Sequence, residues 1–271
     1  MMDPYPAGFI PHGRHRARAF AGAMLFACSA IVAGFPGVAH AYRPFDGTDA
    51  DVADVGEFEL ELGPLHYLRE DNSSFLIVPA TVLNLGIVDR LELVADFKNF
   101  VALSEPEVGG HRVRLRDTDV LAKVLLRRGC LQGGFGPSVA IEAGVLLPEA
   151  GASTGFGSQA NTIVSFAGDR AAVHFNESIA GNRGHRLELF SSAIVEGSKT
   201  SVVRPVAEVF VDRVVSGSSE YSALLGILWA HSQDFVFDLA GRAARADGAQ
   251  VWEVRLGLTW SARVWRVRES N

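Results

Sequence analysis

The segment Val251-Trp252-Glu253-Val254-Arg255-Leu256-Gly257-Leu258-Thr259-Trp260 alternates with a period of two. Its even positions carry Trp, Val and Leu, whereas Glu, Arg, Gly and Thr occupy most odd positions. Similar segments recur along the chain from Glu57 onward, with no helical period between them. Successive side chains of a strand point to opposite faces, and alternating segments of about ten residues are typical of membrane-spanning strands. The sequence therefore predicts an all-β protein, a transmembrane antiparallel up-and-down β-barrel.

The N-terminus has the features of an export signal. Three arginines and a histidine between residues 14 and 18 precede an apolar run from Ala19 to Phe35. The small-residue motif Ala39-His40-Ala41 then supplies a cleavage site. Residues 1–41 are therefore predicted to be a signal peptide that is cut between Ala41 and Tyr42, which implies export and the bacterial outer membrane.

A second interpretation of this region is lipidation of Cys28. The motif Leu25-Phe26-Ala27-Cys28 loosely resembles a lipobox, although Phe26 is large for its position and the apolar run continues past the cysteine. Mass spectrometry of the mature N-terminus distinguishes an acylated Cys28 from a free Tyr42.

Composition excludes several classes of function. Removing the signal takes away three arginines and Asp3, so the net charge changes from −6 to −8. An acidic chain lacks the basic footprint of a nucleic-acid-binding protein. Cys130 is the one cysteine left, so no intramolecular disulfide is predicted. No His or Cys spacing typical of a metal site occurs, and nothing indicates a cofactor.

The alternating segments divide the chain into about twelve strands. Residues 42–56 are polar and acidic and are interpreted as a periplasmic N-terminal segment, 57–260 as the barrel and 261–271 as a C-terminal tail. The strands are predicted near 57–62, 74–85, 91–100, 117–126, 137–147, 161–167, 171–180, 185–196, 202–212, 220–230, 235–242 and 250–260.

The connections suggest an orientation. Outer-membrane barrels have short periplasmic turns and longer external loops. With a periplasmic N-terminus, the three tight connections at 86–90, 167–170 and 231–234 all fall on the periplasmic side. The longer or looser connections fall on the other side, at 101–116, 148–160, 213–219 and 243–249.

The two faces of the strands separate apolar from polar residues. The apolar faces carry almost no charge, with Glu177 as the exception, so Glu177 indicates either a position near an external end or a shifted strand register. Aromatic residues near the strand ends would form the interfacial girdles of a barrel. These residues are Phe97, Tyr221, Trp229, Phe235, Trp252 and Trp260.

A secreted or periplasmic β-sandwich would also alternate. It would carry more lysine than the three that this chain has, and its strands would typically span about five or six residues. The barrel is therefore favoured over the sandwich.

Three segments resemble a known family. They are residues 43–50 (Arg-Pro-Phe-Asp-Gly-Thr-Asp-Ala), the strand 56–62 and the hairpin 86–93. The chain is similar here to the phenol-degradation meta-pathway family of outer-membrane β-barrels. That resemblance implies an outer-membrane barrel that passes hydrophobic or aromatic small molecules. The chain differs from common outer-membrane barrels in continuing past Trp260 and Trp265 to Asn271, so the last strand ends at one tryptophan or the other.

Catalysis by a barrel lipid hydrolase is a weaker hypothesis. His174, Asn176 and Ser178 share one face of a strand, and some outer-membrane hydrolases use a Ser–His pair. Residues four apart on a strand are separated by roughly 13 Å, at about 3.3 Å per residue, so His174 and Ser178 cannot form that pair. The catalytic set is therefore predicted to be empty, and these residues are interpreted as part of a polar lumen.

The predicted lumen carries charges of both signs. A charged interior either orients solutes in a channel or forms a paired network that fills a narrow barrel, because unpaired buried charges are costly. Twelve strands lie between a packed barrel and an open pore. The predicted lumen residues are Glu92, Asp96, Lys98, Lys123, Glu142, His174, Asn176, Ser178, Arg186, Glu188, Arg204, Asp238, Arg242, Glu253 and Arg255.

These features predict a non-enzymatic outer-membrane channel or transporter for a small molecule of unknown identity. The expected partners are the lipid of the outer membrane, the barrel-assembly machinery and that solute. The alternatives are a lipid hydrolase and a closed barrel that serves as an envelope scaffold.

Overall fold

Twelve antiparallel strands form a single closed ring in the computed structural model, which describes residues 35–36, 43–104, 112–150 and 154–265. Each strand pairs with its neighbours in sequence, and the last strand also pairs with the first. The predicted barrel is therefore confirmed. In chain order the strands are β1 (Glu57–Glu70), β2 (Ser73–Val88), β3 (Leu91–Ala102), β4 (Val113–Arg127), β5 (Ser138–Leu146), β6 (Gly157–Ala167), β7 (Ala171–Gly181), β8 (Leu187–Gly197), β9 (Val203–Val214), β10 (Ser219–Ala230), β11 (Phe235–Ala246) and β12 (Ala249–Arg263).

In the described part of the chain, little other regular structure accompanies the ring. One turn of 3-10 helix spans Cys130–Gln132, and a two-residue strand, Phe35–Pro36, pairs with the end of β12. Among the described residues, no helix is long and apolar enough to cross a bilayer. The proposed cleavage site and the end of the tail lie outside the described residues.

Several strands are longer than the alternation predicted. β1 continues to Glu70, β4 starts at Val113 and β6 starts at Gly157, so the loops predicted at 101–116 and 148–160 are shorter. The last strand ends at Arg263, between the two tryptophans. The apolar pattern predicts strands that are too short. The hydrogen bonds that pair strands join backbone groups and do not depend on the side chains.

The strands define two ends of the barrel. We call the end where β1 begins the proximal end and the end where β1 finishes the distal end. All three connections predicted to be tight lie at the proximal end. The connection 128–137, also proximal, is long, whereas the distal connections 215–218 and 247–248 are tight, contrary to the looser loops predicted there.

The outer surface is apolar and the interior is polar. Leu225, Ile227 and Trp229 on the outer face of β10 are 72, 46 and 46% exposed. Inside, Glu61 and Glu208 are each 1% exposed. Burying polar faces and exposing apolar ones is the inverse of a soluble sandwich, and it matches a barrel surrounded by lipid.

Glu177 lies on the outer face of β7, between Thr162 of β6 and Ser191 of β8. Its carboxylate accepts a hydrogen bond of 2.6 Å from the Ser191 hydroxyl. The register is therefore regular, and the carboxylate stands within the wall rather than at its rim.

The wall is weakened at one level, which we call the wall break. Pairing between β1 and β2 is interrupted at Pro64 and Leu65, which lie opposite Val78 and Pro79. The neighbouring ladders, β2–β3 and β12–β1, shift register at the same level. Proline has no N–H to donate to a ladder, so backbone hydrogen bonds are lost here in the middle of the wall.

We predict that amide hydrogens of the wall break exchange with solvent deuterons at least tenfold faster than those of β10. Segments with fewer backbone hydrogen bonds open at a lower free-energy cost. Hydrogen–deuterium exchange mass spectrometry of the detergent-solubilised barrel measures the difference between peptides covering 62–66 and 223–228. The β9–β10 register is unbroken from Val203 to Arg213, so equal protection of the two peptides would contradict the prediction.

Candidate functional site

Residues 43–56, which we call the inner segment, run through the interior of the ring. The backbone N–H groups of Asp46 and Gly47 each donate to Glu208 of β9 over 2.8 Å. The N–H of Thr48 donates to Asn176 of β7 over 3.1 Å. These backbone donors have no sheet partner, and buried N–H groups require one. The sequence placed residues 42–56 in the periplasm ahead of the barrel. Instead residues 43–56 lie inside the ring, where polar side chains of the wall accept hydrogen bonds from their backbone N–H groups.

Arg43 anchors the start of the inner segment. Its guanidinium lies 2.5 Å from the ring of His66 and 3.4 Å from the carboxylate of Asp238. A side chain at Gly63 would lie 2.4 Å from the His66 ring, and one at Gly257 would lie 2.4 Å from the Arg43 guanidinium. Both glycines flank the wall break. They therefore provide the space that Arg43 occupies.

Arg255 of β12 ties the same part of the segment to the wall. It donates to the Pro44 carbonyl over 2.6 Å and contacts the carboxylate of Asp46 at 2.9 Å. It also pairs with Glu253, which accepts a 2.8 Å bond from Arg242. Since each of these charges has a partner of opposite sign, the network offsets the cost of removing them from water.

Asp49 fixes the middle of the inner segment. Its carboxylate lies 3.6 Å from the ammonium of Lys199 and 4.0 Å from that of Lys123. Burial alone would raise the pKa of Asp49, but the two ammonium groups outweigh it and hold the pKa well below its usual value. Asp49 is therefore ionised at neutral pH and is paired to both sides of the lumen.

A Ser–His–Glu arrangement lies beneath the segment. His174 Nδ1 is 2.8 Å from the Ser165 hydroxyl, and His174 Nε2 is 3.5 Å from Glu196. Ser165 also accepts the N–H of Ala50 over 2.9 Å, and Ser165, His174 and Ala50 are completely buried. A nucleophile must reach its substrate, and here the inner segment covers it. The arrangement therefore fits a structural tether, although it contains the residue types of a hydrolase triad.

We predict that His174→Ala lowers the free energy of unfolding by about 1–3 kcal/mol, since it leaves the Ser165 hydroxyl and Glu196 with one partner fewer in a buried site. Phospholipid hydrolysis in mixed micelles should not change. Urea unfolding followed by tryptophan fluorescence gives the first quantity, and fatty-acid release gives the second. A His174-dependent hydrolysis would restore the enzyme hypothesis.

A cavity of about 530 Å³ lies between the inner segment and the distal rim. Residues 43–48 of the inner segment form one side, and the other walls come from the strands. Among its lining residues, carboxylates outnumber basic side chains by eleven to five. Phe45, Phe100, Phe190 and Phe210 add an aromatic surface. The rings of Phe190 and Phe210 are 5.3 Å apart between centroids.

The structure brings most of the predicted lumen residues to the interior. His174, Asn176, Arg204 and Asp238 are buried. Arg186 is an exception. The strand β8 begins at Leu187, so Arg186 lies in the connection 182–186 and its side chain is exposed. The predicted residues that line the cavity are Glu92, Asp96, Lys98, Lys123, Glu142, Ser178, Glu188, Arg242, Glu253 and Arg255.

Sequence reasoning missed some of the interior residues that hold the inner segment, among them Ser165, Glu61 and Glu208. Ser165 carried a usable signal, because a regular hairpin about the predicted tight turn at 167–170 places it opposite His174. Glu61 belonged to a face of three carboxylates in the first strand, and this face points inward. Nothing in the sequence linked Arg43 to Asp238.

We predict that Glu208→Ala lowers the free energy of unfolding by about 2–4 kcal/mol. The change leaves the partly buried N–H groups of Asp46 and Gly47 without their acceptor, and a fully buried unpaired group costs about 1–3 kcal/mol. Glu70→Ala removes an exposed carboxylate at the distal rim and is the matched control. Urea unfolding of both variants tests the assignment, and equal stability would mean that the Glu208 contacts do not hold the segment.

Comparisons with known proteins agree with this fold. No protein-family model matches the sequence, and the search of curated proteins by sequence finds no match. Among solved structures, an outer-membrane channel from Pseudomonas putida F1 is similar, with a TM-score of 0.58 and 8% identity over 80% of this chain and 99% of that chain. The KdgM porin gives a TM-score of 0.49 and 10% identity over 74% and 98%. The CymD monoaromatic hydrocarbon channel gives 0.45 and 10% over 80% and 90%. At 8% identity the likeness to the Pseudomonas putida channel concerns the barrel fold alone.

Proposed function

We propose that this protein is a passive outer-membrane channel for small, uncharged aromatic or hydrophobic molecules. The observation that carries the proposal is the cavity beside the inner segment, which combines four phenylalanines with an excess of carboxylates. Ligand sites of about 300–1,000 Å³ accommodate small molecules. A cavity of 530 Å³ with aromatic walls suits one such molecule at a time.

The charge of the cavity selects against anions. A cleft lined by one sign of charge repels solutes of the same sign and attracts the opposite one. Eleven carboxylates face five basic groups around the cavity. Uncharged solutes experience no such barrier, and the phenylalanine rings give them an apolar surface to contact.

The inner segment occupies part of the interior, which favours a narrow passage. The inner segment contacts β7, β9 and β12 and forms part of the cavity wall. Small solutes therefore pass beside the segment or after it shifts. The same occlusion favours a second candidate function, a closed barrel that serves as an envelope scaffold.

Membership of the phenol-degradation meta-pathway family is part of the proposal. The three matching segments support it, together with the likeness in fold to an outer-membrane channel. The proposal also includes export by a cleaved signal peptide and insertion by the barrel-assembly machinery. Fractionation followed by heat-modifiable gel migration locates the protein.

We predict that cells expressing the protein take up phenol faster than they take up benzoate, which has the same ring and a negative charge. Replacing two cavity carboxylates by Glu188→Gln and Asp212→Asn should raise benzoate uptake about threefold, because it lowers the negative charge along the path. Uptake of radiolabelled solutes by intact cells at neutral pH measures both rates.

The control keeps the charge change and moves it away from the cavity. Asp89→Asn with Asp169→Asn alters two exposed residues of the proximal connections and should leave benzoate uptake unchanged. If the wild-type protein takes up phenol no faster than cells lacking it, the channel proposal fails and the scaffold remains.

A further inference from the structure

The outer surface of the distal rim carries three arginines in a regular arrangement. Arg69, Arg213 and Arg245 are each the last residue but one of their strands, β1, β9 and β11. These strands run in the same direction, so all three arginines lie at the distal end. Outward-facing positions put the three side chains on the outer surface, where they are exposed. We call this set the arginine belt.

Aromatic residues occupy the strands between the arginines. Tyr221 of β10 lies directly opposite Arg245, and Trp252 of β12 lies directly opposite Arg69. Tyr221 and Trp252 are 61 and 58% exposed on the same surface. Going round the wall, basic and aromatic side chains therefore alternate over five consecutive strands. Tyrosine and tryptophan in such positions mark the level of the lipid headgroups.

The belt has unused hydrogen-bond donors. Among the described residues, Arg213 and Arg245 have no hydrogen bond or ion pair through the side chain. Arg69 donates one bond, from Nε to the Asp71 carbonyl, and this leaves its terminal nitrogens available. At the proximal end, by contrast, the outermost arginine of β4, Arg127, donates to the carbonyls of Phe135 and Pro137.

The geometry points to a phosphorylated glycolipid of the lipid A class as the partner of the arginine belt. Guanidinium groups bind phosphate through paired N–H donors, and a lipid phosphate is the anion found at the aromatic level. Three arginines on alternate strands can engage two phosphates of one headgroup, while Tyr221 and Trp252 contact its sugars and the upper acyl chains. Arginine is far less costly at the bilayer interface than at the bilayer midplane, so the belt is tolerated in the free barrel and becomes favourable when a phosphate pairs with it. The distal end then faces the outer leaflet.

Native mass spectrometry of the full-length mature barrel in detergent, titrated with diphosphoryl lipid A, tests the inference. The triple variant Arg69→Gln/Arg213→Gln/Arg245→Gln should bind lipid A at least tenfold more weakly than wild type. The matched control, Arg90→Gln/Arg128→Gln/Arg170→Gln, removes the same charge from the proximal end and should bind like wild type. Lipid A without its phosphates should bind the wild-type protein as weakly as intact lipid A binds the triple variant.

Two results would overturn the inference. Equal lipid A affinity of the two triple variants would show that the belt is not the binding surface. The second result is that phosphatidylglycerol binds the wild-type protein as tightly as lipid A does and that the triple variant loses this binding. The belt would then be a general surface for anionic lipids. If the triple variant does not fold, Arg245→Gln alone, which breaks no hydrogen bond or ion pair among the described residues, should weaken binding about threefold. Phenol uptake should be the same in every variant, which separates this test from that of the channel.

Discussion

The pairing of β12 with β1 is the interaction on which the remaining architecture depends. Lipid offers no hydrogen bonds, so a sheet can be placed there only if it has no free edge. Closing the ring supplies the missing partners along β1 from Glu57 to Glu70. Once the ring is closed, the period of two sends every second side chain to lipid and the others to a shared interior. Apolar residues therefore lie on the outer face of the wall and polar residues on its inner face, instead of the apolar residues gathering in a hydrophobic core.

The charges that hold the inner segment are paired across the lumen. The inner segment supplies much of the pairing, through Arg43 to Asp238 and through Asp49 to Lys123 and Lys199. A buried ion pair adds little net stability compared with apolar packing, but removing one partner is costly. The network therefore fixes where the inner segment lies. It also makes the segment an integral part of the cavity wall.

The fold could be predicted from the sequence because alternation is a local signal. Val251–Trp260 alone gave the strand, its two faces and the side that meets lipid. The path of the inner segment could not be predicted, because Arg43 and Asp238 are far apart in sequence and meet only after the ring has closed. Ser165 lay between these cases, since the hairpin register would have placed it beside His174. Strand lengths were understated where a register irregularity shifts the two-residue alternation, as at Gly63-Pro64 of β1 and near Asp117 of β4.

The position of the inner segment constrains the order of assembly. It precedes β1 in the chain, yet it bonds to β6, β7, β9 and β12, which are synthesised later. A ring that closed first would have to admit this stretch of polar chain through a charged lumen. Closure of the ring around a segment that already lies inside it avoids this passage. Contacts between residues so widely separated in sequence are slow to form, and the β12–β1 seam spans the greatest sequence separation of any strand pair in the ring.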